Sequence, residues 1–114
     1  MEKVVQEKSF YFAVRIVNLC KHLQCKYNEF IMSRQLLRCG TSIGANIAEA
    51  QQAQSRKDFI SKLSIALKES SETDYWLRLL YETKFITEKE FRSIITDCQE
   101  VEKLLIAIIK TAKE

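Results

Sequence analysis

Few side chains in this sequence could carry acid–base or nucleophilic chemistry, and their spacing does not favour it. The only histidine is His22. It shares one helical face with three basic residues, Lys8, Arg15 and Lys26, and an imidazole in that setting is more often a surface group than a catalytic base. A di-iron site in a helical bundle needs two Glu-x-x-His motifs, but Leu19 stands three residues before His22. We therefore expect no enzyme activity and no cofactor.

Cysteines and carboxylates are likewise not spaced as metal ligands. The four cysteines contain no C-x-x-C pair: they are Cys20, Cys25, Cys39 and Cys98. This pattern is typical of buried free thiols in a reducing compartment and does not indicate a structural zinc site. The carboxylates Glu49, Glu72 and Asp74 could cluster between helices, where polar packing is their more common role. We expect no bound metal.

The elements that position these residues are predicted to be long helices. The chain has 114 residues, no proline and two glycines, and nothing in such a sequence breaks a helix sharply. Asn28 is a predicted N-cap for the second helix, and Thr87-Glu-Lys-Glu90 is a predicted capping box for the fourth. Apolar spacing predicts a wide buried face on the first helix. Its residues are Phe10, Ala13, Val14, Val17 and Leu23, with Phe12, Ile16 and Leu19 beside them.

The predicted fold class is all-α, in a single domain over residues 1–114. Helices are expected at about 3–26, 29–51, 56–84 and 88–113. Short connections make neighbouring helices antiparallel, so the prediction is an up-down-up-down four-helix bundle. No apolar run approaches the ~20 residues that span a bilayer, and the charged N-terminus is unlike an export signal. We expect a cytoplasmic protein with no membrane partner.

Charge is concentrated on the first helix. The chain carries a net charge of +3, and residues 1–28 hold five Lys or Arg against two Glu. A basic stripe recurs on one face of this helix, free of acidic residues, with one aromatic beside it. These candidate nucleic-acid-binding residues are Lys8, Tyr11, Arg15, His22 and Lys26. Such a stripe could contact a phosphate backbone, and the alternative is an ordinary solvated helix face.

The second helix divides into three faces at 100° per residue. One face is apolar and must meet the core. A second, polar stripe is either solvated or forms a polar layer with the third helix: Gln35, Arg38, Ser42, Asn46 and Glu49, with Glu72 opposite. The third edge carries the small residues Gly40, Gly44 and Ala48. Glycine inside a helix is destabilising by about 1 kcal/mol, so this edge indicates close packing, either within the chain or against another subunit.

The same helix carries a family resemblance. The segment Gln35-Leu-Leu-Arg38, followed by Thr41-Ser-Ile-Gly-Ala-Asn46-Ile-Ala-Glu49, resembles the signature of a bacterial four-helix-bundle family. That family includes proteins encoded by intervening sequences of large-subunit ribosomal RNA genes and the accessory variability determinants of diversity-generating retroelements. Further segments continue its pattern: Ser55-Arg-Lys-Asp58-Phe59, Leu63-Ser-Ile-Ala66 and Glu72 to Leu77. Ala50 departs from it, because glycine is usual there.

The resemblance implies a homopentamer without known enzymatic activity. For the retroelement branch, it implies binding to nucleic acid and to a reverse transcriptase. We therefore predict a non-enzymatic homo-oligomer that binds RNA or DNA backbone through the first helix. The alternative is an oligomeric scaffold or adaptor that binds a protein partner such as a reverse transcriptase.

Overall fold

Four α-helices and no β-strands make up the structure, a computed structural model that describes every residue from Met1 to Glu114. The helices are α1 (Glu2–Tyr27), α2 (Ile31–Ala50), α3 (Arg56–Glu82) and α4 (Glu88–Lys113). The predicted all-α class with four helices is confirmed. Each helix packs against two others, in the order α1, α2, α3, α4 and back to α1. The four helices thus enclose one core in a body of 45 × 21 × 19 Å.

Local capping groups fix the starts of α3 and α4. The Ser55 hydroxyl accepts the backbone N–H of Asp58 at 3.0 Å. At α4, the Thr87 hydroxyl accepts the backbone N–H of Glu90 at 3.1 Å, and the Glu90 carboxylate accepts that of Thr87 at 2.8 Å. Both helices begin where the sequence predicts, at residues 56 and 88, because an N-cap depends only on residues two or three apart.

The junction between α1 and α2 differs from the prediction. Asn28 does not cap α2; it adopts a left-handed conformation with φ of 52° and ends α1. Asparagine tolerates this conformation because its short polar side chain bonds locally. Glu29 caps the start of α2 instead. Its carboxylate accepts the backbone N–H groups of Ile31, Met32 and Ser33 at 2.8–3.2 Å. These are donors that the first turn of a helix leaves unpaired.

The buried face of α1 also differs from the predicted one. Phe12, Ile16 and Leu23 are buried as expected, whereas Phe10 is 67 % exposed and Val14 is 43 % exposed. The assignment of Phe10 and Val14 to the core is wrong because α1 is apolar over more of its circumference than the core can cover. Helical periodicity locates an apolar face but does not say which part of a wide face meets the other helices.

Close contact between α1 and α2 accounts for both glycines. A Cβ atom at Gly40 would lie 2.9 Å from both Cγ1 and Cγ2 of Ile16, and one at Gly44 would lie 3.3 Å from the backbone oxygen of Ser9. The two glycines therefore pack against α1 of the same chain. Ala48, the third member of the small-residue edge, is exposed.

Candidate nucleic-acid interface

The basic residues of α1 divide into two groups. Lys8 and Arg15 are held by carboxylates on α4: Lys8 Nζ lies 2.6 Å from Glu100 Oε1, and Arg15 Nη1 lies 2.7 Å from Asp97 Oδ2. Arg15 also donates to the backbone oxygen and hydroxyl of Ser93 at 3.2 and 3.0 Å. The hydrogen bond that Lys8 donates to the Glu100 carboxylate raises the pKa of Lys8. At the N-terminal half of α1, the charge of the stripe is thus matched by acidic residues that sequence spacing did not reveal.

His22 and Lys26 form the second group, which has no carboxylate partner within ion-pairing distance. Both side chains are exposed. The Lys26 ammonium lies 5.2 Å from the ring centroid of Tyr27, and the His22 ring meets the same tyrosine edge-on at 6.2 Å. Tyr11, the aromatic predicted beside the stripe, is 70 % exposed, with Phe10 against its ring at 6.3 Å. Positive charge that is free to meet a ligand therefore lies at the C-terminal end of α1.

A cleft surrounds this end of α1 and adds two lysines that the sequence analysis did not select. It consists of two adjoining hollows of about 500 and 530 Å³ that share His22, Ile86 and Glu90. Lys89 lines one hollow, and Lys84 lines the other with Lys26. Lys84 and Lys89 follow Lys26 by about 60 residues, so only the packing of α4 against α1 brings them together. We call this feature the α1–α4 cleft.

Glu90 is the only acidic residue in the lining of the α1–α4 cleft. Its carboxylate is engaged in the capping box, and the hydrogen bonds from Thr87 lower its pKa. The basic residues in the lining of the cleft are three lysines, a histidine and Arg15, and its one carboxylate is already engaged at the start of α4. The positive charge of the lining and the open volume of the cleft together suit an anionic ligand.

The polar stripe of α2 makes few side-chain contacts with α3. Arg38 donates to Glu69 at 3.3 Å and forms a short ion pair with Glu72, and Glu49 lies 3.9 Å from Lys62. The other members form no hydrogen bond or ion pair with α3. Ser42 and Asn46 donate to backbone oxygens one turn earlier in α2, and Gln35 is exposed.

Glu72 joins this stripe to the only tryptophan of the chain. The indole N–H of Trp76 donates to the Glu72 carboxylate at 3.1 Å. The hydrogen bond from Arg38, and after it the one from Trp76, holds the pKa of Glu72 below its usual value. The charged carboxylate is therefore favoured in the folded protein, and its contribution to stability is lost as the pH falls through that lowered pKa.

Trp76 fluorescence is expected to report this carboxylate directly. In acid titrations of the folded protein, emission should change with a midpoint below the usual glutamate range, because protonation removes the acceptor from the indole N–H. Arg38→Met should move the midpoint upward, since it deletes the largest cause of the shift. Arg78→Met, which removes an ion pair with Asp74 elsewhere on α3, is the matched control and should leave the midpoint in place. An unchanged midpoint in Arg38→Met would contradict the assignment.

The cysteines are not gathered into a site. Cys20, Cys39 and Cys98 are buried free thiols, and Cys25 is exposed. Burial raises the pKa of Cys20 and of Cys98 to about 12, so these thiols stay protonated at neutral pH. No three His, Cys, Asp or Glu side chains converge as metal ligands.

Another hollow lies between α1 and α2, and no charged residue lines it. It is lined by small, polar and apolar side chains: Gln6, Ser9, Phe10, Ala13, Thr41, Gly44, Ala45 and Ala48. Val14 is exposed on the same helix as Phe10. We call this surface, with Val14, the α1–α2 groove. Exposed apolar surface without charge is typical of contacts between protein chains.

The structure is thus that of a small all-α protein with four helices and clefts on its surface. Residues 1–107 match the family model described as 23S rRNA-intervening sequence protein, and the chain belongs to that family. The resemblance deduced from the motif of α2 is therefore confirmed. The chain is similar to a protein of unknown function from the S23 ribosomal protein family of Bacteroides thetaiotaomicron VPI-5482, known from a crystal structure. The two are 61 % identical over 96 % of this chain and 97 % of the other, with a TM-score of 0.94.

A search among curated proteins gave no match. Neither the family nor the similar structure is described with an enzymatic activity. None of the four helices combines the length and apolar character that a bilayer span requires.

Proposed function

We propose that this protein is a non-enzymatic homo-oligomer that binds the phosphate backbone of RNA or DNA in the cytoplasm. The observation that supports it most is the α1–α4 cleft. Its lining includes three lysines and a histidine, while its one carboxylate, Glu90, is engaged in the capping box. Lys–phosphate contacts release counterions and give affinity without sequence readout. The description of the family as proteins of 23S rRNA intervening sequences is consistent with a nucleic-acid partner.

Within the predicted basic stripe, His22 and Lys26 are proposed as the main contacts. Lys8 and Arg15 are secondary, because a phosphate must displace Glu100 or Asp97 to reach them. Exposed ion pairs contribute little to stability, so this displacement is not prohibitive. Tyr11 lies near Lys8 in the lining of a smaller hollow and is available to stack on a base.

Assembly is the second part of the proposal. We place the helices in an up-down-up-down, antiparallel order, which is supported by contacts that descend along α1 as they ascend along α2: Cys20 with Ser33, Ile16 with Gly40 and Ser9 with Gly44. We propose that the α1–α2 groove contacts a second copy, in a pentamer. Several weak phosphate sites on one ring bind a long nucleic acid far more tightly than one site does.

Salt dependence tests the function. Labelled RNA and DNA are expected to bind at 50 mM salt and to lose about 20- to 40-fold in affinity at 200 mM, as three phosphate contacts per site require. The double variant Lys26→Glu/Lys89→Glu should bind much more weakly. Lys68→Glu/Lys103→Glu changes the net charge equally at exposed positions outside the cleft and should bind nearly as the wild type does. Absence of binding to all probes at 50 mM salt would overturn the proposal.

A protein-binding scaffold is the alternative function, and one surface favours it. Tyr75 is largely exposed on α3 and meets Trp76 edge-on at 5.2 Å, and exposed aromatic residues are enriched where proteins bind one another. A protein partner such as a reverse transcriptase would contact this surface. Binding that resists salt and is lost in Tyr75→Ala, without any nucleic-acid affinity, would favour the scaffold.

A further inference from the structure

We infer that the α1–α4 cleft is a binding site for single-stranded nucleic acid and discriminates against the duplex. This inference rests on the proposed function and adds to it the place and the form of the ligand. The cleft runs beside α1 from Arg15 to Lys26, a distance of about 16 Å at 1.5 Å per residue. That length accommodates a short run of consecutive phosphates.

The basic residues of the cleft are neutralised at one end and not at the other. At one end, Arg15 is held by Asp97 and Ser93 and is already neutralised. At the other end, Lys26 and Lys84 line one hollow and Lys89 lines the adjoining one, and none of the three forms an ion pair. Glu90, the one carboxylate in the lining of both hollows, is engaged in the capping box. The strongest positive potential is therefore at the end formed by the α3–α4 turn, and phosphates are expected to gather there.

The shape of the cleft selects for a narrow ligand. Axes of helices in contact lie about 8–10 Å apart, so a hollow between α1 and α4 is too narrow for a nucleic-acid duplex to enter. A duplex could only rest on the rim and reach the outermost lysines. A single strand is narrower, and we expect its phosphates to enter the hollows that Lys26, Lys84 and Lys89 line.

An aromatic ring stands at the mouth of the charged end. Tyr27 is 41 % exposed, and its position is fixed by an edge-on contact with Phe85 at 5.3 Å. Base stacking on aromatic side chains is a general means of holding single strands, because every base has a flat face. Stacked bases of a duplex are not free to make this contact. The lysines and Tyr27 therefore favour the same form of nucleic acid.

The experiment compares a labelled 12-nucleotide single strand with a duplex of the same length. The wild-type protein is expected to bind the single strand at least tenfold more tightly at 100 mM salt. Lys26→Gln, Lys84→Gln and Lys89→Gln should each reduce the slope of log affinity against log salt by about 0.7. Tyr27→Ala should weaken single-strand binding about tenfold and leave duplex binding unchanged. Lys68→Gln and Lys103→Gln are matched controls on other surfaces, and circular dichroism confirms that each variant is folded.

The outcomes separate this inference from the proposed function. Equal or tighter binding of the duplex overturns single-strand selection, while nucleic-acid binding itself stands. Equal losses in the cleft variants and in the two controls overturn the cleft as the site. Absence of binding to both probes at 50 mM salt overturns the proposed function and the inference together.

Discussion

Phe10→Glu/Val14→Glu is expected to convert an assembly of several chains into a single chain of 13.3 kDa. Both side chains are substantially exposed in the isolated chain, so the fold of one chain does not depend on them. In the proposed assembly, they lie against a second copy, where two buried carboxylates per subunit without partners would be strongly unfavourable. Light scattering at micromolar concentration measures the difference, and the wild type should have several times the mass of one chain, with five copies favoured.

A matched pair of substitutions tests whether the effect belongs to the α1–α2 groove. Ile65 on α3 and Ile106 on α4 are also exposed, at 41 % and 52 %. Ile65→Glu/Ile106→Glu should keep the assembled mass, because these residues lie outside the groove. If this variant dissociates and the α1 variant does not, the subunit contact lies on α3 or α4. A wild-type protein that remains a monomer at micromolar concentration would contradict assembly altogether.

Features set by residues a few positions apart were predictable from the sequence. The Thr87–Glu90 capping box and the Ser55 cap involve partners three residues away. The choice of buried face on α1 was not predictable in the same way. Phe10 and Phe12 both belong to apolar patterns, and only the positions of α2 and α4 decide that Phe12 is buried while Phe10 faces outward.

The surroundings of the candidate site were even less predictable from the sequence than the buried face of α1. The spacing of Lys8, Arg15 and His22 was readable from the sequence, but their surroundings depend on contacts across about 80 residues of chain. Glu100 and Asp97 meet the N-terminal members, and Lys89 lies with His22. Periodicity places side chains on a helix face and does not reveal which residues of a neighbouring helix lie opposite. The charge of a surface is therefore less predictable than the helix that carries it.

The packing of Gly40 against Ile16 predicts that Gly40→Ala destabilises the wild-type protein but stabilises a variant that lacks the Ile16 side chain. Gly40→Ala should lower the free energy of unfolding by up to about 2 kcal/mol, because overpacking a core costs about 1–3 kcal/mol and the gain in helix propensity offsets about 1 kcal/mol of that cost. The new Cβ would meet Cγ1 and Cγ2 of Ile16 at 2.9 Å. Both atoms are attached directly to the branched Cβ of a fully buried side chain, so neither can move aside easily.

Replacing Ile16 with alanine should reverse the sign of the effect of Gly40→Ala on the free energy of unfolding. Ile16→Ala alone is expected to destabilise the protein by about 2–5 kcal/mol through the cavity that it leaves. Added to that variant, Gly40→Ala should be stabilising, since the contact is gone and only the propensity gain of up to about 1 kcal/mol remains. The difference in stability between Ser64→Gly and Ser64→Ala, at an exposed position of α3 outside the α1–α2 groove, measures that propensity difference without a packing change. Urea unfolding of the wild type, the two single variants at Gly40 and Ile16 and their double variant gives the coupling energy. If Gly40→Ala is stabilising in the wild-type background by the difference between Ser64→Ala and Ser64→Gly, helix propensity alone governs this position and close packing does not explain the glycine.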